Sequence, residues 1–233
     1  MGSTASKTQY QDALETPLEP LAVRVPIIHE KHCIDAPATY LVRHKYGKSE
    51  STITLWRYEN DQRADDITFH VKSFNGVEVS YATSFGSRSF TVANAARELL
   101  LRARCVGHAD FAIKEANASR HDEPICVFKR SIAKWEPVVV GEARNRSTGH
   151  EYTMGYTGDW KMTHVATFWM ASEKTPEIRR PIARTRAWGE NDMRHAYQLE
   201  VTSGVDLLAL LAMITVLDVS EEALSSDALP HFG

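Results

Sequence analysis

The chain has 233 residues, 43% hydrophobic and 24% charged, with a formal net charge of −3. That length fits one domain with arms to spare, and the composition is ordinary for a globular core. A net negative charge argues against bulk nucleic-acid binding, although the two ends (−2 over residues 1–20, −3 over residues 219–233) leave a body of about +2.

Met1-Gly2-Ser3-Thr4-Ala5-Ser6 fits the N-myristoylation pattern, with Gly2 as the acylated residue and Ser6 in the small-hydroxyl position. The alternatives are an ordinary polar start or a vector remnant. Residues 1–20 are polar, with Pro17 and Pro20, and read as a flexible arm. They hold no apolar stretch of the kind a secretory signal needs, so a cytoplasmic location is expected. Cys33, Cys105 and Cys126 are odd in number and widely spaced, which is the pattern of reduced thiols. His29, His32 and Cys33 form a local HxxHC, but zinc needs about four ligands and no second pair follows. No metal and no cofactor are expected.

The next residues alternate apolar and polar. Thr39–Tyr46 and Ser51–Tyr58, joined through Gly47, read as a hairpin. Ile67–Val71 is a strand, Asn75-Gly76 marks a tight turn into Val77–Tyr81, and Ser89–Val92 is another strand. Ala95–Arg104 is ambiguous, because its Ala, Arg, Glu and Leu favour helix while the surrounding meander favours strand. Further strands are predicted at Phe111–Lys114, Ile125–Lys129, Val138–Ala143, Glu151–Tyr156, Thr163–Met170 and Pro181–Trp188.

Leu207–Leu217 is a run without charge and with a single hydroxyl. A helix apolar on every side must be enclosed by protein or lipid. At ~1.5 Å per residue the run spans roughly 16 Å, about half of a ~30 Å hydrocarbon core, so protein is the better enclosure. Ser203-Gly204-Val205-Asp206 before it fits a capping box. Many short strands followed by one such helix point to a sheet closed around it; a sandwich with the helix at one end fits nearly as well.

The segment Tyr197–Asp206, followed by the apolar helix and Asp218, resembles the tubby-like C-terminal domain superfamily, in the branch of the phospholipid scramblases and LURP-one-related proteins. Phe90–Arg104, Glu151–Trp160 and Ile182-Ala183-Arg184 are similar to other stretches of that branch. The resemblance implies a mainly β fold, a closed antiparallel barrel of about twelve strands around a central hydrophobic C-terminal helix. It decides residues 95–104 for strand from Leu99. The domain is expected over residues 21–220, with an acidic flexible tail over 221–233.

The resemblance also implies a phosphoinositide head group bound at a basic hairpin, where Arg43, Lys45 and Lys48 are the matching residues. Arg is a bidentate phosphate ligand and Lys a point charge. Secondary basic candidates are Lys129 and Arg130, and Arg184 with Arg186 on one strand face. For each of these clusters a solvated surface is the commoner meaning. Neither the clustered cysteines nor the calcium loop of the scramblases is present, which argues against lipid scrambling. No GxSxG, GxGxxG, Walker loop or HExxH occurs, so a non-enzymatic domain is expected. Its partner would be an anionic phospholipid at the inner face of a membrane or, in the alternative, an unknown protein.

Overall fold

The computed structural model describes residues 15–45, 51–59, 62–76, 87–106, 110–119, 121–133, 136–187 and 196–226. The described residues form twelve strands: β1 (Ala38–Lys45), β2 (Ser51–Glu59), β3 (Gln62–Gly76), β4 (Ser87–Ala93), β5 (Leu99–Val106), β6 (Asp110–Glu115), β7 (Cys126–Ala133), β8 (Glu136–Arg144), β9 (Glu151–Asp159), β10 (Val165–Ser172), β11 (Thr175–Ala187) and β12 (Ala196–Val201). Each pairs antiparallel with its chain neighbours. The ring then shuts between β1 and β12, from Ala38↔Val201 to Arg43↔Ala196. Closure leaves no free sheet edge.

Strand alternation fills the lumen. Val42, Leu55, Phe90, Leu101, Ile113, Phe128, Met154, Phe168 and Leu199 are all buried. Against them lies the terminal helix, Leu207–Ser226, in which every residue from Leu207 to Leu217 is buried. The apolar run is therefore the axis of the barrel, as its length and its preceding strands predicted. No described helix is long and apolar enough to cross a membrane.

Four expectations are corrected. Asn75 and Gly76 are the last two residues of β3, opposite Arg88 and Ser87, because the ladder with β4 takes them into the strand. The strand expected at Val77–Tyr81 lies outside the described residues. Thr163 belongs to a short helical turn, Trp160–Thr163, and β10 starts only at Val165. The terminal helix does not stop at Asp218 but continues to Ser226. Finally, the helix is capped by Asp206, with Oδ1 accepting from Leu208 N–H (3.1 Å) and Ala209 N–H (3.2 Å). The capping box shares that role between this carboxylate and the Ser203 hydroxyl, and the cap residue is Asp206 rather than Ser203. Residues 99–106 are strand, as the meander required.

Candidate functional site

The segment before β1 forms a strap across the end of the barrel where the helix begins. Val25 N–H donates to Gly204 O (2.8 Å), Gly204 N–H to Ile34 O (2.7 Å) and Ile34 N–H to Val205 O (2.9 Å). Gly204 has a φ of 86°, a left-handed conformation that glycine adopts without a Cβ penalty. The strap closes on Asp206, which is fully buried. Its Oδ2 accepts from the backbone N–H groups of Ile27 (3.1 Å), Ile28 (2.7 Å) and His29 (3.1 Å). One carboxylate thus ties the strap to the first turn of the helix. Where the apolar run ends, Asp218 Oδ1 accepts from Trp160 Nε1 (2.9 Å), and the Trp160 ring packs edge-on against Phe168, Tyr197 and His164.

Beside the strap a cavity of about 280 Å³ opens at the barrel mouth. Lys31, His32 and Cys33 line it from the strap, Tyr40 and Arg57 from β1 and β2, and Leu207 and Leu208 from the helix. Tyr40 and Arg57 are register partners that continue the lumen-facing positions Val42 and Leu55. Burial lowers the His32 pKa, with the Asp206 carboxylate opposing it, so the imidazole is neutral near neutral pH. Burial, aided by Asp206, pushes the Cys33 thiol up to about 12, and burial likewise raises Cys126. Thiols held protonated in this way are poor nucleophiles. Burial also raises Tyr40, against the opposing charge of Arg57, so its hydroxyl stays a donor.

His29 turns away from metal chemistry: its Nδ1 accepts from Lys31 N–H (3.1 Å). The described residues contain no cluster of three or more metal-ligating side chains.

The basic residues read from the sequence are dispersed. Arg43 is exposed on β1, paired with Ala196 and Thr54, and its position is further along that strand than the cavity. Lys45 pairs with Thr52 at the end of β1, and Lys48 and Gly2 lie outside the described residues. Lys129 Nζ is bound to Glu142 Oε1 at 2.6 Å, a contact that raises its pKa. Arg130 pairs with Val139 in the β7–β8 ladder. Arg184 and Arg186 do share a face, and both reach Glu200, at 3.4 and 3.3 Å. Arg184 is buried, donates to the Thr16 carbonyl, and has its pKa lowered by burial, which Glu200 opposes.

The mouth cluster was not picked out from the sequence. Its signal was present: Arg57 continues the alternation of Ile53 and Leu55, so it falls on the apolar face of its strand. Comparison with family models, with curated proteins and with solved structures gives no match.

Proposed function

We propose that this barrel is a non-enzymatic tubby-like domain that docks peripherally on anionic membranes, holding a phosphoinositide head group with Arg43, Lys45 and Lys48 at the β1–β2 hairpin. One observation carries the reading. Of the candidate cations whose side chains are described, Lys129, Arg184 and Arg186 are engaged by carboxylates, whereas Arg43 is exposed and makes no ion pair with a described carboxylate. A strand-end arginine in this state can offer its whole fork to phosphate. The filled lumen supports the same reading, because a lipid must then be met from outside. The architecture is the one the resemblance implied. A myristoyl group on Gly2 would add a second anchor, since one acyl chain alone binds membranes marginally.

The test is sedimentation with neutral vesicles and with vesicles containing phosphoinositide, at two salt concentrations. The wild type is expected to bind the phosphoinositide vesicles, less so at high salt. Arg43→Ala with Lys45→Ala should lower that binding by about tenfold or more, as loss of two charge-assisted contacts implies. Equal binding by wild type and double variant would remove the claim. The intact mass of the native N-terminus reads the Gly2 proposal directly; an unmodified glycine removes it.

A second reading, a protein-interaction domain without a lipid role, is favoured by a groove of about 790 Å³ on the outer wall. Pro124, Ile125, Tyr152 and Pro176 give it apolar walls, and its lining glutamates (Glu123, Glu142, Glu151, Glu173) outnumber its arginines (Arg144, Arg146). That chemistry fits a partner segment pairing apolar with basic residues. Co-purification of such a partner, with vesicle binding absent, would favour this reading over the first.

A further inference from the structure

The outer-wall groove and the strand beside it carry opposite charges. Most ionic groups of the groove are already bound within the chain: Glu142 by Lys129 (2.6 Å), Glu151 by Arg144 (2.7 Å), and Arg146 by Glu115. Glu123 and Glu173 are exposed and make no ion pair with a described residue. Both still act on Arg144, whose pKa is raised first by its hydrogen bond to Glu151 and further by the charges of Glu123 and Glu173. The groove thus offers two unmatched negative charges beside the apolar walls of Pro124, Ile125 and Pro176.

Pro176 also opens a bulge in β11. Between the pairs Ser172↔Thr175 and Met170↔Arg180, residues 176–179 stand against Ala171 alone, and β12 joins β11 only from Ala183 onward. Such a bulge disrupts the ladder and leaves its extra residues unpaired. Ile178 is 49% exposed there, with Arg179 and Arg180 exposed beside it. The Arg179 guanidinium is seated over the Trp169 ring, 4.3 Å from the centroid, and neither arginine makes an ion pair with a described residue. Glu177 reduces the net charge of the segment to +1, still opposite in sign to the groove. We infer that the groove docks a second copy of this chain, Ile178 of each copy set against the apolar walls of the other and Arg179 and Arg180 facing its Glu123 and Glu173.

Position sets the symmetry. Groove and bulge meet at Pro176, so a two-fold axis close to that residue lets each copy present one bulge and receive one. The contact is then made twice and closes on a dimer. The inference rests on the reading of the groove as a protein contact and names the partner; head-group binding at Arg43 and Lys45 can fail without touching it.

Sedimentation velocity of the full chain over a concentration series reads the assembly. The wild type should pass from monomer to dimer, less readily at high salt because the charges are screened. Glu123→Lys with Glu173→Lys, and separately Arg179→Glu with Arg180→Glu, should each weaken dimerisation by about tenfold or more through like-charge opposition. An equimolar mixture of the two variants should recover the dimer, because every groove then faces a bulge of opposite charge. A wild type that stays monomeric at every concentration, or a mixture of folded variants that fails to recover the dimer, overturns the inference. Growth past the dimer overturns the two-fold closure. Should a charge variant fail to fold, Ile178→Asp decides: it should weaken the dimer, and an undiminished dimer overturns the inference. A monomeric wild type that binds another protein, with binding lost in Glu123→Lys with Glu173→Lys, overturns the dimer and keeps the protein-contact reading.

Discussion

Asp206 shows how much one side chain can organise. Its two oxygens take backbone N–H groups from both the strap and the helix, and it is fully buried. Asp206→Ala would leave those donors without an acceptor, at about 1–3 kcal/mol for each buried group left unsatisfied, so a total loss of at least about 3 kcal/mol is expected. Asp206→Asn keeps one carbonyl oxygen but sets an amide NH₂ against donors, and its stability should lie between the two. Urea unfolding of the three proteins measures this; an alanine variant as stable as the wild type would refute the tie. His32 gives a pH prediction. Its folded pKa is depressed, so the unfolded chain binds the extra proton. The stability linked to it is present above the unfolded value of about 6.5 and is lost as pH falls below that. His32→Gln should flatten this acid-side decline in the urea midpoint, and an unchanged slope would exclude His32 as its source.

At the scale of elements, the strands were the most legible part of the sequence, because period-two alternation is a local signal that burial on the lumen face enforces. The errors came where distant pairing overrides local chemistry. Asn75-Gly76 has the composition of a turn, yet its ladder with Arg88 and Ser87 keeps it extended. The cap was misplaced by three residues, since the strap that selects Asp206 comes from residues 27–29, far away in the chain. Arg184 read as a surface cation, and nothing nearby in sequence announces that Glu200 and the Thr16 carbonyl enclose it. The mouth cluster joins strap, β1, β2 and helix, so only tertiary closure brings it together. Between β7 and β8 a glycine makes room for a ring: a Cβ on Gly141 would lie 2.5 Å from Phe128 Cε1. Gly141→Ala is therefore expected to cost about 1–3 kcal/mol through overpacking. Gly141→Ala combined with Phe128→Leu should lose less than the two single changes added together. Strict additivity in thermal or urea unfolding would contradict that contact.

For the whole molecule, the barrel and its helix are one structure. The helix fills the lumen, the strap locks its start, and Trp160 meets Asp218 where the apolar run ends. Removing the helix to a membrane would strip the lumen of its core and expose the apolar lining of the strands to water. The greasiest segment of the chain belongs to the interior, and the membrane contact proposed above falls on the hairpin cations instead. Hydrogen exchange on protein bound to phosphoinositide vesicles tests this assignment most directly, because amides of a core element open only with global unfolding. The amides of Leu208–Leu217 should remain as protected on vesicles as in free protein, with any new protection near Arg43 and Lys45. Loss of protection along the helix together with exposure of the lumen strands on binding would contradict it.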